Sequence, residues 1–171
     1  MDRRDKINYY LDIAEQVLSR GTCLRRNYGS IIVKNDEIIS TGYTGAPRGR
    51  ENCIDLGFCY RKEFNIPSGQ RYEACRSVHA EMNSIISAGR KDMLAATLYL
   101  VGIEADNSSY VKNAEPCTLC KRLIINSGIE KVISRIDKDN YKETLVDEWI
   151  TNDDSLSGFD KAQKEKQEQK C

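Results

Sequence analysis

Ile7, Tyr10, Leu11, Ala14, Val17 and Leu18 recur at helical spacing, and Gly21 closes the run, predicting a first amphipathic helix. The pattern then shortens. Gly29–Lys34 and Glu37–Gly42 read as two strands, and Asn35-Asp36 between them suits a tight hairpin. Val78, Met82, Ile85 and Ile86 predict a second helix with His79 in its first turn. Ala96–Val101 predicts a strand. Cys117–Ser127 predicts a third helix, with Leu123 and Ile124 on its apolar side and Gly128 as its stop. Lys131–Ile136 reads as a strand and Tyr141–Ile150 as a last helix. Strands alternating with helices imply an α/β layered domain with a mixed sheet.

Two stretches interrupt this order. Tyr43 to Arg76 carries glycines, prolines and three of the cysteines, so it reads as a long loop; such a loop is either functional or stapled by metal. Gly102 to Glu115 is polar and loop-like. Beyond Thr151 apolar periodicity stops, which assigns 1–151 to one domain and 152–171 to a polar tail, frayed helix or disordered.

The chain has 171 residues, 40% hydrophobic and 30% charged, which suits one soluble globular domain. Lys+Arg and Asp+Glu are 26 each, so the net charge is zero. A surface built throughout for nucleic acid is therefore unexpected, although a local phosphate pocket is compatible. No apolar run is long enough to span a bilayer, and the charged start from Met1 to Lys6 is not a signal peptide, so no membrane role and a cytoplasmic location are expected. Seven cysteines in such a chain read first as metal ligands, then as disulfides.

The only histidine sits in His79-Ala80-Glu81, and Pro116-Cys117-Thr118-Leu119-Cys120 follows downstream. Pro-Cys-x-x-Cys by itself also describes half of a structural zinc site or a redox pair. His-x-Glu followed by Pro-Cys-x-x-Cys is the signature of zinc-dependent nucleobase deaminases. His79, Cys117 and Cys120 supply the three protein ligands that leave a catalytic zinc one open position. Such a zinc lowers the pKa of water towards ~7. Glu81, two residues from His79, is placed to carry protons without ligating.

Thr41-Gly42-Tyr43-Thr44-Gly45-Ala46-Pro47-Arg48-Gly49, Val78-His79-Ala80-Glu81-Met82-Asn83, and Pro116–Cys120 with Ile124–Ile129 together resemble the deoxycytidylate (dCMP) deaminase family, from about Ile7 to about Ile136. The resemblance implies the cytidine-deaminase-like three-layer α/β/α sandwich, a hexameric homo-oligomer, hydrolytic deamination of dCMP to dUMP, and dCTP and dTTP as effectors. It also implies a zinc held by His79, Cys117 and Cys120, with Glu81 as proton shuttle. Tyr43, Thr44 and Ala80 become expected substrate contacts. The family's glycine loop reads Gly-Tyr-Asn-Gly, so Thr44 replaces a sugar-binding amide by a hydroxyl. The 102–115 stretch is an insertion relative to the family and either reshapes the site's entrance or stays on the surface.

Several family members carry a second, structural zinc. Cys23, Cys53 and Cys75 fall at suitable positions, and Cys59 would complete an all-thiolate tetrahedron; the alternative is four reduced, partly buried thiols. A nucleotide substrate needs a cation or a helix N-terminus for its phosphate. Of Arg25, Arg26, Arg48, Arg50, Arg71, Arg76 and Arg90 near the loops, Arg48 and Arg50 are the candidates. A tRNA adenosine deaminase, a deaminase of another cytosine nucleotide and a zinc-stapled binding module remain the competing readings; a module would have no use for Glu81.

Overall fold

A computed structural model of the chain describes residues 3–67 and 69–152. Most of the expected polar tail, 153–171, and the terminal Cys171 lie outside the described residues. Helix α1 (Lys6–Leu18) begins at Asp5, whose carboxylate accepts a hydrogen bond from the Asn8 amide. Strands β1 (Arg26–Lys34) and β2 (Glu37–Tyr43) form the predicted hairpin. Asn35 and Asp36 both take positive φ, 51° and 67°, the turn geometry that matches strand twist.

The long loop is only partly a loop. It folds into α2 (Cys53–Leu56), α3 (Tyr60–Glu63) and a 3-10 turn at Tyr72–Ala74. Then come α4 (Ala80–Ile86), α5 (Arg90–Met93), β3 (Thr97–Glu104), α6 (Thr118–Ser127), β4 (Lys131–Arg135), β5 (Tyr141–Leu145) and α7 (Val146–Thr151). The sheet order is β2-β1-β3-β4-β5; β3 and β4 run parallel and the other neighbours antiparallel.

Alternation along β1 separates two cores. Ile31 and Val33 pack with Tyr10, Leu11, Ala14 and Leu18 of α1. Ile32 packs on the opposite face with Leu98, Leu100, Ile124 and Val132. Helix α1 therefore covers one face and α4 to α7 the other, giving the three-layer α/β/α sandwich with a mixed sheet. Among the described residues no helix is long and apolar enough to cross a membrane.

Four expectations need correcting. Tyr141–Leu145 is a strand, not the first half of a helix. The Asp137 carboxylate accepts from the amides of Asp139 and Asn140, closing a turn that folds the chain back onto β4. The inter-strand ladder then outweighs the weak helical spacing of Tyr141 and Leu145. Leu123 and Ile86 are exposed, 39% and 74%, instead of facing the core. Helix α4 seats itself instead through Ala80 and Ser84, small residues that let the sheet come close. Finally, β3 continues to Glu104, and Ile103 bridges Tyr110, so 102–115 is not one open loop. The Tyr110 hydroxyl donates to Glu15 of α1 at 2.9 Å, and Arg135, 2% exposed, binds Glu15 and Asp12 at 2.6 Å each. These contacts fasten the insertion to the α1 side, while its last residue, Glu115, reaches the cavity described next.

Candidate active site

His79 is the residue that caps α4, with extended backbone (φ −71°, ψ 154°), and does not lie within its first turn. Cys117 caps α6 in the same way (φ −69°, ψ 167°), and Cys120 lies buried one turn in. Both helices sit on one face of the sheet and touch each other. The two helix starts therefore converge.

The glycine loop fixes where His79 falls. Gly45 and Val78 exchange backbone hydrogen bonds of 3.2 and 2.7 Å, and Asn83 Nδ2 donates to the Tyr43 carbonyl at 2.8 Å. Ser40 Oγ donates to the Ser84 carbonyl at 2.8 Å, and the Ser30 and Ser84 hydroxyls meet at 2.9 Å. Gly42 is required beneath α4, because a Cβ there would lie 2.2 Å from the Ala80 carbonyl oxygen and 2.4 Å from the Ser84 nitrogen.

His79 Nδ1 lies 3.4 Å from the Cys117 sulfur and 3.4 Å from the Cys120 sulfur. A tetrahedral zinc with ordinary Zn–N and Zn–S lengths separates such donors by about 3.6 Å. One imidazole and two thiols, all within 4.8 Å of one another, thus fit zinc in donor type and in spacing. Glu81 is 4% exposed beside them, and burial pushes its carboxyl above the ordinary range. The Cys120 thiol and the His79 ring stabilise the Cys117 thiolate, which is held down to about 4. Cys120 is pushed up, by the hydrogen bond to that thiolate and by burial. Burial lowers the His79 pKa, but its hydrogen bond to Cys117 and the charge of Glu81 raise it by more, so the net shift is upward.

These groups open onto a cavity of about 450 Å³. Thr44 and Arg50 line it; Tyr43, Arg48 and Ala80 do not. Ala80 is wholly buried against the sheet, and Arg48 is carried outwards by the exposed turn closed from Arg50 N to Pro47 O at 3.0 Å. The Thr44 hydroxyl already accepts from the Tyr28 amide at 3.1 Å, which leaves its own proton to donate.

Cys23, Cys53, Cys59 and Cys75 line the same cavity. Among the described residues, however, only His79, Cys117 and Cys120 bring three donors within 4.8 Å of one another. The four thiols ring the wall without closing on one point. Cys23 Sγ accepts from the Arg25 amide at 3.4 Å, Cys53 lies 4.0 Å from the Ser77 hydroxyl, and burial pushes the Cys53 thiol up.

Sequence reasoning missed Arg61 and Tyr72. The Tyr72 ring meets His79 edge-on at 4.9 Å, and the Arg61 guanidinium lies 4.5 Å over Tyr72. Nothing in the local sequence separates Arg61 from its neighbours; only folding of the long loop brings it to the cavity.

The sequence matches the family described as the cytidine and deoxycytidylate deaminase zinc-binding region over residues 4–136. It is similar to a deoxycytidylate deaminase of Mycobacterium phage D29, 35% identical over 138 residues that cover 78% of this chain and 96% of the relative. A deoxycytidylate deaminase of Schizosaccharomyces pombe is 29% identical, covering 81% of this chain but 40% of its own length. The chain thus spans nearly all of the phage relative and about two fifths of the yeast one. Among solved structures, the dCMP deaminase of cyanophage S-TIM5 shares the fold with a TM-score of 0.54 at 23% identity, covering 81% of this chain and 88% of that one.

Proposed function

The chain belongs to the cytidine and deoxycytidylate deaminases, and from that premise we propose that it hydrolyses dCMP to dUMP and ammonia, supplying dUMP for dTMP synthesis. The observation that carries this reading is the triangle of His79, Cys117 and Cys120 with buried Glu81 beside it at the cavity wall. A structural metal site has no need of an adjoining buried carboxylate.

His79, Cys117 and Cys120 are the residues that would hold the catalytic zinc. Zinc, when bound, lowers the pKa of water towards ~7 and so supplies the nucleophile. Glu81 accepts the proton released as water attacks C4 of the cytosine. It passes that proton to the ring nitrogen, then takes the remaining proton of the hydroxyl added at C4 and delivers it to the amino group, which leaves as ammonia as the carbonyl forms. Burial suits Glu81 to this, because raising its carboxyl pKa makes the carboxylate a stronger base towards water. Thr44 is the candidate sugar contact and Arg50 a candidate phosphate contact.

A second, structural zinc on Cys23, Cys53, Cys59 and Cys75 belongs to this reading, with support from all four lining the one cavity. Binding would draw the four sulfurs inwards and brace the long segment between β2 and α4. Residues 1–151 form the deaminase unit. Its assembly as a homohexamer is supported by the exposed apolar side chains Ile54, Phe58, Phe64 and Ile86, which suit burial against other copies. Regulation by dCTP and dTTP and a cytoplasmic location complete the proposal; a reducing compartment keeps thiols free to act as metal ligands.

Ammonia release from dCMP, CMP, dCTP, deoxycytidine and a tRNA anticodon hairpin, with and without dCTP and dTTP, tests the proposal. Preference for dCMP is expected. Turnover of the adenosine hairpin with none of dCMP would overturn it.

A further inference from the structure

Arg61 is 5% exposed, yet among the described residues it has no carboxylate partner. Its Nη2 donates to the Pro67 carbonyl at 2.6 Å, and its Nε, also buried, has no hydrogen-bond partner. A guanidinium does not lose its proton in a protein. A buried cation with a spare donor is costly unless an anion meets it. Its side chain lines the cavity that His79, Glu81 and Cys117 also line. Of the other cavity arginines, Arg26 pairs with Glu104, Arg25 and Arg76 donate to the carbonyls of Ile66 and Glu51, and Arg50 stands exposed at the rim. Of these cations Arg61 is the one that is buried, held flat by the Tyr72 ring and aimed by the Pro67 carbonyl.

We infer that Arg61 is the phosphate anchor that makes the site select a nucleoside monophosphate over the free nucleoside. One ring contact of 4.5 Å and one of 4.9 Å separate its guanidinium from the His79 imidazole through Tyr72. Those two contacts bound the separation of guanidinium and imidazole, and a cytosine nucleotide can span that bound from its reacting edge to its 5′-phosphate. The phosphate supplies an anion for the uncompensated guanidinium, whose planar fork matches two of its oxygens. Tyr72 lies between the two groups, so a phosphate bound at Arg61 adds binding affinity away from the reacting edge of the base. The inference deepens the proposed deaminase reading and rests on it for the identity of the base.

The test compares Arg61→Gln and Arg61→Lys with the unaltered chain, each zinc-loaded, on dCMP and on deoxycytidine. Loss of one charged hydrogen-bonding partner should raise KM for dCMP roughly 10- to 100-fold. The kcat for dCMP and the kcat/KM for deoxycytidine should hardly change, and Arg61→Lys should recover part of the preference. Inorganic phosphate should raise the melting temperature of the unaltered chain and not that of Arg61→Gln. An unchanged preference for dCMP over deoxycytidine in either folded variant would overturn the inference, because a merely structural arginine moves stability and not selectivity. Should Arg61→Gln fail to fold, the side-chain Nε–H resonance of Arg61 in the unaltered chain decides: it moves on adding phosphate if the inference holds and stays if it does not. The phosphate measurements do not depend on the base, so their failure is distinguishable from a failure of the dCMP reading.

Discussion

Replacing Gly42 by alanine should damage catalysis from outside the cavity. Gly42 does not have positive φ, so alanine suits its backbone, and the effect is steric. The new Cβ would lie 2.2 Å from the Ala80 carbonyl oxygen, 2.4 Å from the Ser84 nitrogen and 3.0 Å from the Asn83 carbonyl carbon. All three are backbone atoms of α4, so no side-chain rotation relieves the clash. Restoring an ordinary contact moves α4 by about 1 Å, and α4 carries His79 at its cap and Glu81 in its first turn. A displacement of that size costs roughly 100-fold in kcat where groups must align. The overpacking itself should cost about 1–3 kcal/mol, or roughly 2–12 °C in melting temperature.

Gly29 supplies the control. A Cβ there would lie 2.2 Å from the Ala14 carbonyl oxygen and 2.5 Å from the Leu18 nitrogen of α1, on the opposite face of the sheet. Gly29→Ala should lose similar stability but keep kcat, since α1 carries no site residue. Calorimetry and a continuous dCMP assay on both variants measure the two effects. Equal kcat losses, or a Gly42→Ala enzyme that is destabilised yet turns over normally, would refute the link between this contact and the site.

Four further outcomes are expected. Glu81→Gln should keep the fold and its zinc but lose at least ~100-fold in kcat; near-normal turnover would remove Glu81 from proton transfer. Zinc analysis should give close to two ions per chain, with one retained in Cys117→Ala; complete loss of zinc in that variant would leave no second site on Cys23, Cys53, Cys59 and Cys75. Arg135→Met should lower the melting temperature, because it leaves Asp12 and Glu15 without their shared cation and frees Tyr110; an unchanged midpoint would show the cluster to be neutral. Asp12 is the pH probe. Burial raises its carboxyl pKa, but hydrogen bonds to Arg4 and Arg135 pull it below the ordinary value by more. Its contribution is therefore present above the unfolded pKa of about 3.9 and lost as pH falls through the folded value. The stability gap between the unaltered chain and Asp12→Asn should shrink on acidification, and because Asp12 is half exposed, salt should shrink it too; a gap that widens in acid would reverse the assignment.

Much of the sandwich was legible along the chain, because each long element has one buried face. Strand β1 alternates between two cores and α1 repeats Tyr10, Leu11, Ala14 and Leu18, so local periodicity carried the burial pattern. Legibility failed where burial was not the organiser. Helix α4 seats through Ala80 and Ser84 against Gly42, a close approach that a hydrophobic pattern does not record, and Ile86 was misplaced as a result. Strand β5 exists because Asp137 closes a turn onto β4, and the spacing of Tyr141 and Leu145 alone does not encode that partner.

The sequence by itself determined the donor chemistry: one histidine, a glutamate two residues on, and a downstream Pro-Cys-x-x-Cys are local facts that need no folding to be read. Tertiary structure decided what those donors meet. It set the 3.4 Å spacing of His79 to both sulfurs, buried Glu81 so that its carboxyl pKa is raised, and left the four cavity thiols short of a closed cluster. It also carried Arg61 from an unremarked place in the long loop to a buried position beside Tyr72 and His79. The physical reason is separation along the chain. Ligand type travels with the residue, whereas distance, burial and the absence of a counter-charge arise only when distant segments pack together.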